Sequence, residues 1–191
     1  MKIFKAVKAQ YSNAKAIKLN TPLVSRILVI SIILLIASFF VNVKMLAFLV
    51  TATLFNTWLA GFQIKRGLPT DFELSTFATV LVTAVFGIKW GIFIAIFSKL
   101  FACIATGSVV VDHFFMIGTY IIAAILASVL GGMPILVLGI LIVTVNCVIM
   151  FLISQNIGVP ITANLAYTVT NFIFNFIIFS IFSQVVLGLL V

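Results

Sequence analysis

From Phe114 to Val191 the chain contains no Asp, Glu, Lys, Arg or His. A stretch of that length cannot build a water-facing surface. It must lie almost wholly in lipid or against other helices, with its turns held by amides and hydroxyls. The remainder is scarcely more polar: 64% of all positions are hydrophobic and 7% charged, which excludes a soluble globular domain. Eleven Lys and Arg against three acids give a net charge of +8, yet these charges form no nucleic-acid surface. Lys2, Lys5, Lys8, Lys15, Lys18 and Arg26 all precede or open the first hydrophobic run. They report orientation and contact with lipid headgroups, and no nucleic-acid partner is implied.

Each helical crossing needs roughly 20 apolar residues. The hydrophobic segments fall at 23–41, 45–62, 72–87, 90–106, 113–130, 134–154 and 161–190. The expected fold is therefore an all-α, polytopic membrane bundle of six to seven transmembrane helices. Punctuation separates the runs at Asn42–Lys44, Lys65–Pro69, Gly87–Trp90, Gly107 with Asp112, Gly131-Gly132 with Pro134, and Gln155–Pro160. Every connection is short, so sequential helices should be antiparallel neighbours. Residues 23–191 read as one membrane domain.

Residues 1–22 form a basic leader. On a helical wheel Ile3, Phe4, Val7, Tyr11, Ala14 and Ile17 share one side and Lys2, Lys5, Lys8 and Lys15 the other. That pattern suits an amphipathic helix lying on anionic headgroups, or a basic tail that only sets orientation. The lysine bias places the N terminus in the cytoplasm of a multi-pass cell-membrane protein. If all seven runs cross, Lys65 and Arg66 join the leader inside while Lys44 and Lys89 lie outside; a re-entrant early run would invert the orientation of every later helix.

Three polar stripes interrupt the apolar runs. The first opens at Asp71 and Glu73 and continues through Thr76, Thr79, Thr83 and Gly87 at helical spacing. Asp71 is a candidate N-cap there, and carboxylates in a first turn complement the helix macrodipole. The second stripe is Asn164, Asn171 and Asn175, with Thr168 beside it. Amides are costly in hydrocarbon unless partnered, so this face points inward, either as interhelical glue or as a lining for a polar ligand. Thr53, Asn56, Thr57 and Gln63 form the third.

Asp112 and His113 are adjacent at a helix start, where Asp112 is again a candidate N-cap, with a substrate contact or a proton-sensitive gate as the alternative. Lys99 sits mid-span and must either pair with Glu73, Asp71 or Asp112 or snorkel towards Gly107. Nothing resembles a catalytic set: there is no HExxH, GxSxG, phosphate loop or pair of aspartates within a span. Cys103 and Cys147 are isolated in apolar runs without metal-ligand spacing. The chain does not read as an enzyme, and no cofactor is implied.

The run from Asp71-Phe72-Glu73-Leu74 through Phe86-Gly87-Ile88-Lys89-Trp90-Gly91 to Ser98-Lys99-Leu100 resembles the substrate-binding S subunits of energy-coupling factor vitamin transporters, and the similarly organised MreD-type rod-shape membrane proteins. The resemblance covers residues 71 to about 130. Asp71 matches the acid that opens a helix, Phe86, Gly87 and Gly91 the hairpin after it, and Asn171 and Asn175 the Asn-bearing final helix. It implies a substrate-capture component that docks a coupling transmembrane subunit and ATPases, and it would place the Gly87–Gly91 turn in the cytoplasm. The small-residue docking face of the S subunits is not evident on the first helix; Ala123 and Ala127 offer a small face elsewhere.

Two functions emerge as expectations. In the first, Asn164, Asn171, Asn175, Glu73, Thr76, Asp112 and His113 line a site for a small, largely neutral or zwitterionic molecule, because few charges face inward. In the second, the chain is a non-transporting scaffold for cell-envelope or cell-shape partners, and the Asn stripe is helix glue. An oligomeric channel or exporter is a third possibility.

Overall fold

The computed structural model describes residues 29, 32, 42–67 and 70–191. The basic leader and most of the 23–41 run lie outside the described residues. Those described are all-helical, with six helices in chain order: α1 Val43–Arg66, α2 Ser75–Phe86, α3 Ile88–Thr106, α4 Val111–Val129, α5 Ile135–Asn156 and α6 Ile161–Leu190. Five of them are long and apolar enough to cross a membrane. The exception is α2.

Local chemistry sets the ends. Asn42 caps α1 by accepting the Met45 N–H at 3.2 Å. Gly67 and Gly107 close α1 and α3 in the left-handed conformation. Pro134 and Pro160 stand directly before α5 and α6, where a residue with fixed φ and no N–H costs no helical hydrogen bond. A single residue, Gly87, joins α2 to α3 with φ 88° and ψ 170°. That conformation is essentially closed to side-chain-bearing residues, so the sharp reversal depends on glycine.

Helix α2 has only 12 residues, about 18 Å of helix against a hydrocarbon core of about 30 Å. Its position accounts for this: α2 contacts each of the other five helices. Every residue from Ser75 to Thr83 is buried, as expected of a helix that is hydrophobic all round. The five long helices surround it and turn large apolar side chains outward, among them Leu54, Phe55 and Trp58 on α1 and Ile173, Phe176 and Ile177 on α6. Such an exterior is matched to lipid.

The main core joins α2, α4, α5 and α6 through Phe77, Leu81, Ala123, Leu138, Ile142 and Phe179. Phe77 and Phe179 meet edge to face, with centroids 4.9 Å apart. The Phe179 ring seats directly on the backbone of Gly139, where any Cβ would overlap it. Gly91 admits α3 against Thr83 in the same way. Ala123 and Ala127 are 0% and 1% exposed. They pack into this core, so they present no small-residue face for a docking partner.

The 72–87 run departs from expectation. Helix begins only at Ser75, and the N-cap position belongs to Leu74. Asp71 is therefore not the cap: the residues from Thr70 to Leu74 are non-helical. Asp112 is likewise one residue inside α4, whose N-cap position is Val110.

Candidate functional site

The non-helical stretch before α2 is the structural origin of the site. Irregular backbone at membrane depth survives only where protein or a polar cavity satisfies it. Here side chains from two helices supply the missing partners. Gln63 on α1 accepts the Phe72 N–H at 2.8 Å and donates to the Phe72 carbonyl at 2.7 Å, imitating a strand pairing with one amide. Asn56, two turns earlier, accepts the Leu74 N–H at 2.9 Å and donates to Ser75 Oγ at 3.1 Å. From α6, Thr170 Oγ1 accepts the Asp71 N–H at 3.2 Å. The polar stripe of α1 thus holds a broken helix in place.

That stretch edges a cavity of about 250 Å³ at the end of the bundle where α1, α3 and α5 finish and α2, α4 and α6 begin. Asn56 and Gln63 of α1, Lys99 of α3, Asp112 and His113 of α4, Asn146 of α5, and Asn164 and Asn171 of α6 all line it, together with Asp71, Glu73 and Thr76. The chain has only three acidic residues and one histidine. All four converge on this one space.

The carboxylates differ in their partners. Glu73 accepts from the Ser75 N–H at 2.7 Å and the Thr76 hydroxyl at 2.9 Å, so it performs the helix-opening role expected of Asp71. Asp71 instead reaches across to α6, where Asn171 Nδ2 donates to its Oδ2 at 2.9 Å. Asp112 has a buried Oδ1 without a partner among the described residues. His113 Nδ1 lies 3.4 Å from the Val110 N–H and 3.1 Å from Cys103 Sγ. Facing a backbone donor and a thiol, Nδ1 acts as acceptor, which leaves the ring proton on Nε2.

Lys99 is 8% exposed and lines the cavity. It lies close enough to Asp71, Glu73 and Asp112 to interact electrostatically with each, yet no ion pair within 4.0 Å forms among the described residues. Of the two alternatives expected for this lysine, direct pairing is not seen among the described residues, and the cavity it lines lies at the Gly107 end of α3. The expectation of a lining almost without charge is corrected accordingly, since both signs face the cavity.

The amide stripe of α6 divides by depth. Asn171 lines the cavity. Asn164 also lines it but spends its amide on the Phe151 carbonyl at 2.9 Å, binding α6 to α5. Asn175 is fully buried away from the cavity, and its Nδ2 donates to both the carbonyl and the Oδ1 of Asn171 at 3.2 Å. It supports Asn171 and faces no ligand space. Thr79 and Thr83 similarly pack inside the bundle and are absent from the lining.

Asn146, which lines the cavity from α5, belongs to none of the three stripes, although the sequence does signal it: it is an amide at the middle of the most apolar run. Tyr120 on α4 also lines the cavity; a lone tyrosine in a span carries no comparable signal. Among the described residues no three His, Cys, Asp or Glu are grouped to hold a metal ion.

Comparison with family models, curated proteins and solved structures gives no match. The class is defined by the architecture: among the described residues, an all-helical bundle with five helices able to cross a membrane, around a short central helix and a cavity lined by charged and polar side chains among apolar ones.

Proposed function

We propose that this chain is the membrane-embedded substrate-capture component of a transporter for a small polar molecule, a role of the kind performed by the S subunits it resembles in sequence. The observation that carries the reading is the convergence of all three acids, the single histidine and the mid-span Lys99 on one cavity in an otherwise apolar bundle. Intramembrane ionisable groups are expensive, and where they gather around a cavity they mark a binding site or pathway. Interhelical glue accounts for Asn164, and support of Asn171 within α6 accounts for Asn175. It gives no reason to bring opposite charges to one space and leave them apart.

The chain carries no nucleotide-binding motif. Energy for transport therefore comes from partner subunits, a coupling membrane protein and ATPases, with the capture component held in the cell membrane. The test is ligand binding by the purified full-length chain in nanodiscs: native mass spectrometry for a retained small molecule, and thermal shifts against a panel of vitamins and small polar metabolites. A retained or stabilising ligand lost on Asn171→Leu, in a variant that still folds, supports capture. A folded chain that binds nothing in the panel and co-purifies with envelope-assembly proteins is instead a scaffold of the MreD type.

A further inference from the structure

The chemistry of the captured molecule can be read from the polar groups that the protein leaves unmatched. Glu73 and Asp71 already accept hydrogen bonds from Ser75, Thr76 and Asn171. Asp112 accepts none from any described residue, and its Oδ1 is buried. Asn146 is 5% exposed; its Nδ2 donates to Thr76 Oγ1 at 3.3 Å, while its Oδ1 is buried without a donor. Lys99, more than nine-tenths buried, has neither a hydrogen bond nor an ion pair among the described residues. All three line the cavity, where the buried hydroxyls of Thr70 and Tyr120 also lack a hydrogen-bond partner among the described residues.

Charges that open on an enclosed space without a protein partner are costly unless something in that space pairs them. Here the helices hold them apart. A bare cation would satisfy Asp112 but leave Lys99 unpaired, and a bare anion would satisfy Lys99 against three nearby carboxylates. A neutral polar molecule would leave both charges unmatched. A molecule with both charges satisfies both groups.

The geometry points to a small zwitterion as the ligand, its carboxylate held by Lys99 and its ammonium by Asp112, with the Asn146 carbonyl oxygen as second acceptor. This assignment rests on the capture reading above. The size agrees: at about 30 Å³ per water, a space of about 250 Å³ takes on the order of ten non-hydrogen atoms, the scale of an amino acid.

The test uses the full-length chain in nanodiscs, with free α-amino acids as probes alongside their N-acetyl and C-amide derivatives, and with myo-inositol, putrescine and succinate as neutral, cationic and anionic controls. At least one free amino acid is expected to bind by calorimetry, and both of its blocked derivatives on the order of a hundredfold more weakly, as the loss of a charge-assisted contact requires. Lys99→Met should abolish discrimination against the amide, and Asp112→Asn discrimination against the N-acetyl form. If Lys99→Met does not fold, Lys99→Gln and the blocked derivatives on the unaltered chain still decide the matter. Binding of only a neutral, cationic or anionic probe, or equal binding of free and blocked forms, overturns the zwitterion while leaving capture standing. Binding of no probe here, and of none in the wider metabolite panel, overturns both.

Discussion

Asn171 Nδ2 donates to Asp71 Oδ2 across 2.9 Å, joining the last helix to the non-helical segment before α2, 100 residues earlier in the chain. The amide is itself steadied by Asn175, one turn on. Breaking one side of this pair leaves the other part-buried without its partner. Asn171→Leu and Asp71→Leu should each destabilise the fold by about 1.5–3 kcal/mol, the range for a hydrogen bond to a charged group. The double variant should lose clearly less than the sum. Unfolding of all four proteins in the same detergent measures the coupling, and strict additivity would show that the contact contributes nothing.

The Gln63 amide serves two backbone groups of Phe72 at once. Gln63→Leu removes both bonds and should cost about 1–3 kcal/mol, since a part-buried N–H and carbonyl are then left unpaired. Gln63→Glu keeps the acceptor for the N–H but faces a carboxylate to the carbonyl, so it should rescue little. Thermal unfolding tests this, and hydrogen exchange at Phe72 locates the damage: protection there should fall before protection in α5 does.

Gly139 and Phe179 fix the spacing between α5 and α6. A methyl at Gly139 would meet the Phe179 ring, so Gly139→Ala should cost about 1–3 kcal/mol through overpacking. Phe179→Leu, destabilising by itself, should be less so in the Gly139→Ala background. A negligible cost for Gly139→Ala would mean that the two helices are free to move apart.

Lys65 and Lys89 lie on opposite sides of the membrane if the segment from Thr70 to Phe86 crosses it. The 12 residues of α2 supply about 18 Å, and the five preceding non-helical residues extend the reach by up to about 16 Å. With Cys103 and Cys147 replaced by Ser, Lys65→Cys and Lys89→Cys should react with an impermeant thiol reagent from opposite faces of sealed vesicles. Labelling of both from one face would make the segment re-entrant.

Much of the helical arrangement is legible in the sequence because a span announces itself by length and apolarity. The runs at 90–106, 113–130, 134–154 and 161–190 correspond to α3 to α6 with small shifts at their ends. The start of α2 is not legible. Asp71 has the composition of a cap, but its position depends on Gln63 and Asn56 capturing the backbone, a tertiary effect that periodicity within one segment does not contain. The same limit applies to the site. Asn171, Glu73 and Asp112 stand out as polar residues in apolar surroundings, but a stripe does not say how deep along the bundle a neighbouring helix ends. Depth separates Asn171, which lines the cavity, from Asn175, which packs behind it. Lys99 is anomalous in its span at first sight, but its relation to all three acids depends on the positions of three other elements.

The one-residue junction at Gly87 bears on how the chain is made. A 12-residue helix cannot remain in a bilayer on its own, and Gly87 allows no slack between it and α3. During synthesis α2 must therefore enter the membrane together with α3, as a preformed helical hairpin. Until α4, α5 and α6 arrive to enclose it, the face of α2 that bears Phe77 and Leu81 remains without its final neighbours. Assembly of this protein is consequently gated by its C-terminal half, so the cavity comes into being only when the last helix docks.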